Sequence, residues 1–300
     1  MIMSSANEIQ KMALFCDFEN VARGVRDAKY ADFDIRKVLE RLLVKGDIVV
    51  KKAYCDWERY KDFKHGMHGA AFELIEIPNR GQSGKNSADI RMVVDALDLC
   101  YTKAHVDAFV IISGDSDFSP LVSKLRENNK TVIGVGVRNS TSDLLVKNCD
   151  EFIFYDDLVK ADEARKKAEA ARQQGAAKKV NTPLLTGKAS TSEVHKKSVK
   201  LAPNVIPELA NVVSELTDAA KHMLAIELVV ETVEALMAEK ERDVVHASLV
   251  KSTLKRRRPD FIESAYGYKG FGKILDDAAK RGLLELLGTD TVVTVRLPRG

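Results

Sequence analysis

One stretch constrains the fold more than any other: the run FVIISGDSDF at residues 109–118. Its first four residues are apolar and predict a strand buried on both faces, as strands of parallel sheets are. The strand breaks at Gly114 and is followed by Asp115 and Asp117. Ligands of open α/β sheets bind beyond the carboxyl ends of the strands. On their own the two acids fit two interpretations equally: a divalent-metal site, or a polar turn that caps the helix starting near Ser119.

Apolar strands alternate with helices through the first half of the chain, up to about residue 158. Further strands are predicted at residues 11–16, 48–54, 73–78, 131–137 and 151–155. This alternation predicts a parallel, doubly wound α/β sheet with right-handed crossovers, Rossmann-like in type. The helix that begins near Asp89 carries an apolar stripe, and Asp89 lies off it. The stripe consists of Ile90, Val93, Val94, Leu97 and Tyr101.

The composition is that of a globular protein with a sizeable core, because 45% of the 300 residues are hydrophobic and 30% are charged. The length predicts about two domains. The formal net charge of +3 is too small to indicate a nucleic-acid binder. Nucleic-acid binding can therefore be inferred only from local clusters of basic residues. Residues 1–12 contain no apolar signal segment, and no eighteen apolar residues run together. We therefore expect a cytoplasmic protein without a membrane segment.

The four cysteines do not form a recognisable metal or redox motif. They lie tens of residues apart, at Cys16, Cys55, Cys100 and Cys149. The absence of a CxxC pair excludes the usual zinc and redox patterns. We expect reduced, buried thiols that pack as small apolar side chains.

Three segments are predicted along the chain. Residues 1–158 form the α/β domain. Residues 159–222 form a charged helix and a flexible linker, since 160–179 carry almost no large apolar side chain and 181–207 are rich in Thr, Ser, Lys and Pro. Residues 223–300 form a smaller unit of three helices and a terminal hairpin, a winged-helix (α+β) arrangement.

Four acids of the first domain are predicted to share one edge of the sheet: Asp17, Asp89, Asp115 and Asp117. Crowded carboxylates raise one another's pKa unless a cation is present. Mg²⁺ or Mn²⁺ supplies that cation and leaves coordination positions for phosphate oxygens. Such a site is suited to the hydrolysis of a phosphodiester. Asn20 and Ser113 are placed to orient water or ligands around the ion.

Three short motifs are DFEN at 17–20, GKNSAD at 84–89 and SGDSDF at 113–118. In this order they resemble the motifs of the NYN domain family, which is PIN-like, and the resemblance covers about residues 11–158. It implies a Rossmann-type sheet and a metal-dependent ribonuclease site that acts on RNA. It also implies that the four acids bind the metal, with Asn20 and Ser113 in support. Residues 225–298 are similar to the OST-HTH/LOTUS domain, a winged-helix RNA-binding module.

Basic residues supply the candidate contacts with RNA. Residues 251–281 contain nine Lys or Arg and four Asp or Glu, a local excess of +5 with aromatic residues interleaved. This pattern fits phosphate contact and base stacking, and the alternatives are a solvated helix face and core packing of the rings. The candidates there are Arg256, Arg257, Arg258, Tyr268, Lys269 and Lys273. In the first domain, Lys85 and Arg138 are candidates for phosphate contact, with an ordinary surface side chain as the alternative.

The leading hypothesis is a metal-dependent endoribonuclease whose catalytic domain is tethered to an RNA-binding module. The tether would raise the effective concentration of the substrate at the catalytic site. The alternative is a non-catalytic RNA-binding adaptor whose acidic site is vestigial or binds metal only structurally. A phosphatase is disfavoured, because the residue two positions after Asp17 is Glu19 rather than the second Asp of an Asp-x-Asp pair. The oligomeric state stays open, a homo-oligomer included.

Overall fold

The computed structural model describes residues 10–77, 87–178, 217–240, 242–289 and 292–298. Contacts divide the chain into two compact units, Met1–Ala161 with Ala238–Arg242, and Asp162–Met237 with Asp243–Gly300. The predicted linker at 181–207 and the candidate Lys85 lie outside the described residues. Within the described ranges, no helix has the apolar length that crossing a membrane requires.

A six-stranded parallel sheet forms the centre of the first unit. Its strands are β1 (Gln10–Asp17), β2 (Gly46–Cys55), β3 (Glu73–Glu76), β4 (Ala108–Ile112), β5 (Thr131–Gly136) and β6 (Glu151–Phe154). The strands are hydrogen-bonded in the order β3-β2-β1-β4-β5-β6, which confirms the predicted parallel α/β sheet. The chain moves outward from β1 to β3, returns to β4, and moves outward the other way to β6. The order therefore reverses between β1 and β4, where α/β sheets bind ligands.

Helices cover both faces of this sheet. They are α1 (Phe18–Asp27), α2 (Ile35–Lys45), α3 (Lys61–Gly69), α4 (Ser87–Thr102), α5 (Ser119–Glu127), α6 (Asp143–Asn148) and α7 (Tyr155–Lys178). Residues of α1, α2 and α3 pack in one buried layer, and residues of α4, α5 and α6 in the other. Strand β1 shows why the apolar runs are unbroken, because Leu14 and Cys16 enter the first layer while Ala13 and Phe15 enter the second.

Helix α4 meets the sheet through only part of its predicted apolar stripe. The buried residues of α4 are Met92, Ala96 and Cys100. Three residues of the predicted stripe stay exposed: Ile90, Val94 and Tyr101. The rings of Phe15 and Phe109 stack in the same layer, 6.0 Å apart, and Val93 and Leu97 of the stripe pack against this layer as well. Asp95, beside the buried face, accepts a hydrogen bond from the hydroxyl of Tyr54 at 2.8 Å, which fixes the rotation of the helix.

The second unit combines three helices with a three-stranded antiparallel sheet. Its elements are α8 (Asp218–Lys240), β7 (Val245–His246), α9 (Ala247–Arg257), α10 (Phe271–Lys280), β8 (Glu285–Thr289) and β9 (Val292–Arg296). Strands β8 and β9 pair where a terminal hairpin is predicted, and the short β7 joins the other side of β9. Val229, Leu254, Ile274 and Val295 are buried, and each comes from a different element.

The aromatic residues of the basic stretch lie in the interior of this second unit. Tyr266, Tyr268 and Phe271 are 5, 8 and 7% exposed. Phe261 stacks on Tyr266, with ring centroids 4.9 Å apart, and the hydroxyl of Tyr268 donates to Asp277 at 2.6 Å. The burial of its ring favours the core-packing alternative for Tyr268, and its contact with RNA stays a prediction. Core packing accounts for these rings.

Candidate functional site

Strands β1 and β4 end side by side at the point where the strand order reverses. Cys16 pairs with Ile112 in the sheet, so Asp17 and Ser113 follow at the same level. The hydroxyl of Ser113 donates to Oδ2 of Asp17 at 2.9 Å, and both residues are buried. The sheet thus brings together two motifs that are 96 positions apart in the chain.

Asn20 connects the start of α1 to the loop after β4. Asp17 caps α1, with its Oδ1 accepting a hydrogen bond from the backbone N–H of Asn20 at 3.3 Å. The side-chain Oδ1 of Asn20 in turn accepts from the backbone N–H of Gly114 at 2.9 Å. The first and third motifs are therefore held together by side chains of both.

The loop after β4 is ordered by its own polar groups. The N–H of Asp115 donates to Oγ of Ser113 at 3.2 Å. Oδ1 of Asp115 accepts from the N–H of Asp117 at 3.0 Å and caps a short 3₁₀ turn. The cap uses only one carboxylate oxygen of Asp115, so capping and ligand binding do not exclude each other.

Gly114 leaves no room for a side chain. A Cβ there would lie 2.3 Å from the carbonyl oxygen of Ser140 and 3.0 Å from Cα of Thr141. The carbonyl of Gly114 accepts from the N–H of Ser142 at 2.9 Å. The loop that follows β5 thus packs directly on the backbone that carries the two acids.

The acids at this edge act on one another electrostatically. Burial raises the pKa of Asp17 to about 7, with a further contribution from Asp89, although hydrogen bonds from Ser113 and Asn20 lower it. Asp89, in the first turn of α4, has a pKa raised to about 6 by burial and by the charges of Asp115 and Asp117. Carboxylates from three separate parts of the chain therefore lie close enough to raise one another's pKa, as predicted for crowded acids without a cation.

Glu19 is a further acid of this edge, and the sequence analysis did not single it out. Its charge contributes to the raised pKa of Asp89. Its carboxylate pairs with Arg23 in the same helix and lies 3.7 Å from Nη1 of Arg59. The four-residue spacing of Glu19 and Arg23 in one helix predicts their ion pair from the sequence alone. The contact with Arg59 could not be predicted in this way, because Arg59 lies in another segment of the chain. Within the described residues, these two bases pair with Glu19 and not with the four predicted acids.

The donor atoms of the four acids are all hard oxygens, which suit Mg²⁺ or Mn²⁺. In the part of the chain that the structure describes, no three His, Cys, Asp or Glu side chains are placed to contact one metal ion together. Mg²⁺ commonly binds proteins through one or two carboxylates and keeps several waters. The residues present fit an ion held in that way.

Arg138 follows β5 but has partners of its own. Its Nη2 pairs with Asp157 at 2.9 Å, and its guanidinium carbon lies 3.9 Å from the ring centroid of Phe154. Its backbone N–H donates to Asp156 at 2.8 Å. None of these contacts leads to the four acids, and the phosphate contact of Arg138 stays a prediction.

The candidate bases of the second unit differ in accessibility. Lys269 and Lys273 are exposed, the side chain of Lys273 by 72%. The three arginines at the end of α9 are only partly accessible: Arg256, Arg257 and Arg258. The side chain of Arg257 is 11% exposed and pairs with Glu231 at 2.8 Å. The two lysines are therefore the better placed for contact with RNA.

A parallel six-stranded sheet with acids gathered at its switch point defines an α/β domain consistent with a PIN-like fold. Residues 11–156 match the family model described as the NYN domain. This part of the chain is therefore similar to the NYN domain family, as the three motifs predict, and that family suggests a nuclease-type, RNA-related function.

Two relatives share this part of the chain. An uncharacterized protein of Methanocaldococcus jannaschii is 31% identical over 147 residues, which are 48% of this chain and 54% of that protein. The chain thus spans about half the length of this curated relative. A protein of unknown function from Vibrio parahaemolyticus, of known crystal structure, aligns with 29% identity and a TM-score of 0.46, covering 52% of this chain and 98% of that one.

Proposed function

We propose that the protein is a metal-dependent endoribonuclease that hydrolyses phosphodiester bonds of RNA at the switch point of its NYN domain. The observation that carries the proposal is the mutual electrostatic influence of Asp17, Asp89, Asp115 and Asp117. Such a group of acids is stabilised by a cation. A nuclease needs that cation beside the phosphate it attacks.

Mg²⁺ or Mn²⁺ would be held at the edge where the four acids lie, with one or two of them as direct ligands. When bound, such an ion lowers the pKa of a water molecule and polarises the phosphate. Ser113 keeps Asp17 in place by donating to its Oδ2, and Asn20 fixes the backbone at Gly114, just before Asp115. These two side chains act as positioning residues, since they hold the acids rather than contacting the substrate.

The C-terminal targeting role is part of the same proposal. The order of α8, β7, α9, α10, β8 and β9 supports a winged-helix domain over residues 223–300. The exposed Lys269 and Lys273 are its proposed phosphate contacts, with residues 159–222 as the tether to the catalytic domain over residues 1–158. Lys85 and Arg138 are proposed to contact phosphate near the catalytic site.

The test compares the full-length protein with its Asp115→Asn variant on single-stranded and structured RNA in Mn²⁺ or Mg²⁺. We expect the wild type to cut RNA internally, the variant to be inactive, and EDTA to stop the wild type. Asp62→Asn is the matched control, because Asp62 is an exposed acid in the first turn of α3. RNA that persists equally with the wild type and Asp115→Asn would overturn the proposal.

A non-catalytic RNA-binding adaptor is the second candidate. The observation that favours it is the lack, within the described residues, of three metal-binding side chains around one point. RNA binding without metal-dependent cleavage across several substrates would establish the adaptor and exclude the nuclease.

A further inference from the structure

Helix α4 exposes the kind of stripe that a helix normally buries. Ile90, Val94 and Tyr101 are 62, 55 and 64% exposed, although each is a large apolar side chain. Together with the partly buried Leu97 they are spaced by four, three and four positions. This is the heptad spacing of a coiled-coil seam. The stripe is therefore suited to packing against a second helix.

A cleft of about 490 Å³ lies along this stripe. The described residues that line it are Ser87, Ile90, Arg91, Val94, Asp95 and Asp98. The side chain of Arg91 is 56% exposed and uses Nε to pair with Asp95 at 3.0 Å. Asp98 is exposed. Charges that flank an apolar seam set the choice and orientation of the partner helix.

These charges are complementary to themselves in an antiparallel pair. Arg91 and Asp98 are seven residues apart, which is two turns, or about 10.5 Å along the helix. If two copies of α4 run antiparallel and cross between Val94 and Asp95, Arg91 of each copy faces Asp98 of the other. The contact between Arg91 and Asp98 thus forms twice, once on each side of the two-fold axis.

The apolar residues match in the same arrangement. With the crossing point between residues 94 and 95, Ile90 of one copy lies at a level between Leu97 and Tyr101 of the other. Val94 meets its own counterpart near the axis. Each apolar side chain then enters a space between two others, which is knobs-into-holes packing.

We infer that α4 is the interface of a homodimer, in which two copies of this chain pack antiparallel along the stripe with a two-fold axis near Val94. RNA does not suit this surface, because its apolar side chains do not bind phosphate and its exposed base, Arg91, is paired with Asp95 and lies near the exposed Asp98. A different protein would need its own matching charges, whereas a second copy supplies both from Arg91 and Asp98. This inference is independent of the proposed nuclease activity.

Sedimentation velocity of the full-length protein over a series of concentrations tests the inference. The wild type is expected to form a reversible dimer. Val94→Arg places two like charges at the axis and is expected to weaken the dimer by at least about tenfold. The matched control is Val49→Arg, because Val49 is 45% exposed on β2 and distant in sequence from α4, and it should leave dimerisation unchanged.

A charge exchange makes the test specific to the antiparallel arrangement. Arg91→Glu and Asp98→Lys should each weaken the dimer, since each places like charges opposite one another. The double variant restores opposite charges across the axis and should recover dimerisation. If Val94→Arg does not fold, Val94→Cys replaces it, and oxidation should link two copies through residue 94, whereas Val49→Cys should not link them.

Two results would overturn the inference. One is a wild type that stays monomeric at every concentration, which would assign the stripe to another segment or to a different protein. The other is a dimer that is unaffected by Val94→Arg, or that is not linked through Val94→Cys, which would place the interface elsewhere.

Discussion

Asp17 is an acid kept almost out of water, with only 8% of its surface exposed. Two hydrogen bonds favour its charged form, but burial and the charge of Asp89 outweigh them, so its pKa is raised to about 7. A carboxylate in this position is stabilised either by a proton or by a cation. The same residue therefore links protein stability, pH and the proposed metal.

The first prediction concerns stability in the absence of metal. The pKa of Asp17 is 3.8 in the unfolded chain and about 7 in the folded protein. Between these values the folded state holds a proton that the unfolded state has lost, so the free energy of unfolding falls as the pH rises from about 4 to 7. Asp17→Asn removes this dependence and should be more stable than the wild type at pH 8, by up to about 4 kcal/mol.

Urea unfolding in EDTA at several pH values measures this effect. Asp17 uses Oδ1 to cap α1 and Oδ2 to accept from Ser113. Asn keeps one oxygen for the cap and places an NH₂ group toward Ser113, so the substitution removes the charge and also changes one hydrogen bond. Adding Mg²⁺ or Mn²⁺ at pH 8 should stabilise the wild type and leave Asp17→Asn nearly unchanged. Identical pH profiles for the two proteins would contradict the prediction.

The second prediction concerns Asn20. Asn20→Ala leaves the buried N–H of Gly114 without its acceptor, which should lower the free energy of unfolding by about 1–3 kcal/mol. If the protein cleaves RNA, kcat should fall more than KM changes, since the acid that follows Gly114 is displaced. Asn20→Asp keeps an acceptor oxygen and, at a pH low enough to protonate the added carboxyl group, should lose less stability. Equal losses in chemical denaturation would show that the hydrogen bond is unimportant.

At the scale of elements, the turn after β4 depends on close backbone packing. Gly114→Ala would bring Cβ to 2.3 Å from the carbonyl oxygen of Ser140, and neither backbone segment can yield easily. We expect a loss of about 3 kcal/mol in unfolding free energy. Gly66→Ala is the control, because nothing lies within 4 Å of its Cβ position in α3, and it should stabilise by about 0.5–1 kcal/mol. Similar effects of the two changes would contradict this account of the turn.

The fourth prediction separates core from surface in the second unit. Tyr268→Phe removes the hydroxyl that donates to Asp277 and should cost about 1.5 kcal/mol of stability without changing RNA affinity. Lys273→Ala changes an exposed side chain and should leave the free energy of unfolding unchanged. It should weaken RNA binding and reduce the salt dependence of RNA affinity by the equivalent of about one phosphate contact. Thermal unfolding and RNA titration at several salt concentrations measure both. A weaker RNA complex for Tyr268→Phe would contradict the burial of its ring.

At the scale of the whole molecule, the proposed tether predicts a dependence on substrate length. The full-length variant Lys269→Glu/Lys273→Glu should cleave a long RNA with a kcat/KM about tenfold below that of the wild type. An oligonucleotide too short to reach both units should be cleaved equally by the two proteins. Equal loss on both substrates would instead assign the lysines to the catalytic step.

The sequence alone determined the parallel sheet and the position of its acids. Runs such as residues 109–112 are too apolar for any strand that faces water, and Asp17 and Asp115 follow such strands directly. Local patterns of this kind depend only on the chain's own spacing of apolar and polar residues. They were enough to predict that distant acids meet at one edge.

Only the tertiary structure decided which surfaces are buried. In α4, Val93 and Leu97 of the predicted stripe pack against the layer that contains Phe15 and Phe109, while the other three stripe residues stay exposed. The ring of Tyr268 is buried, and its hydroxyl finds a partner in Asp277 of α10. Periodicity shows that a helix has an apolar face, but not which neighbour has room for it. That choice depends on side chains from other parts of the chain, which a local pattern does not contain.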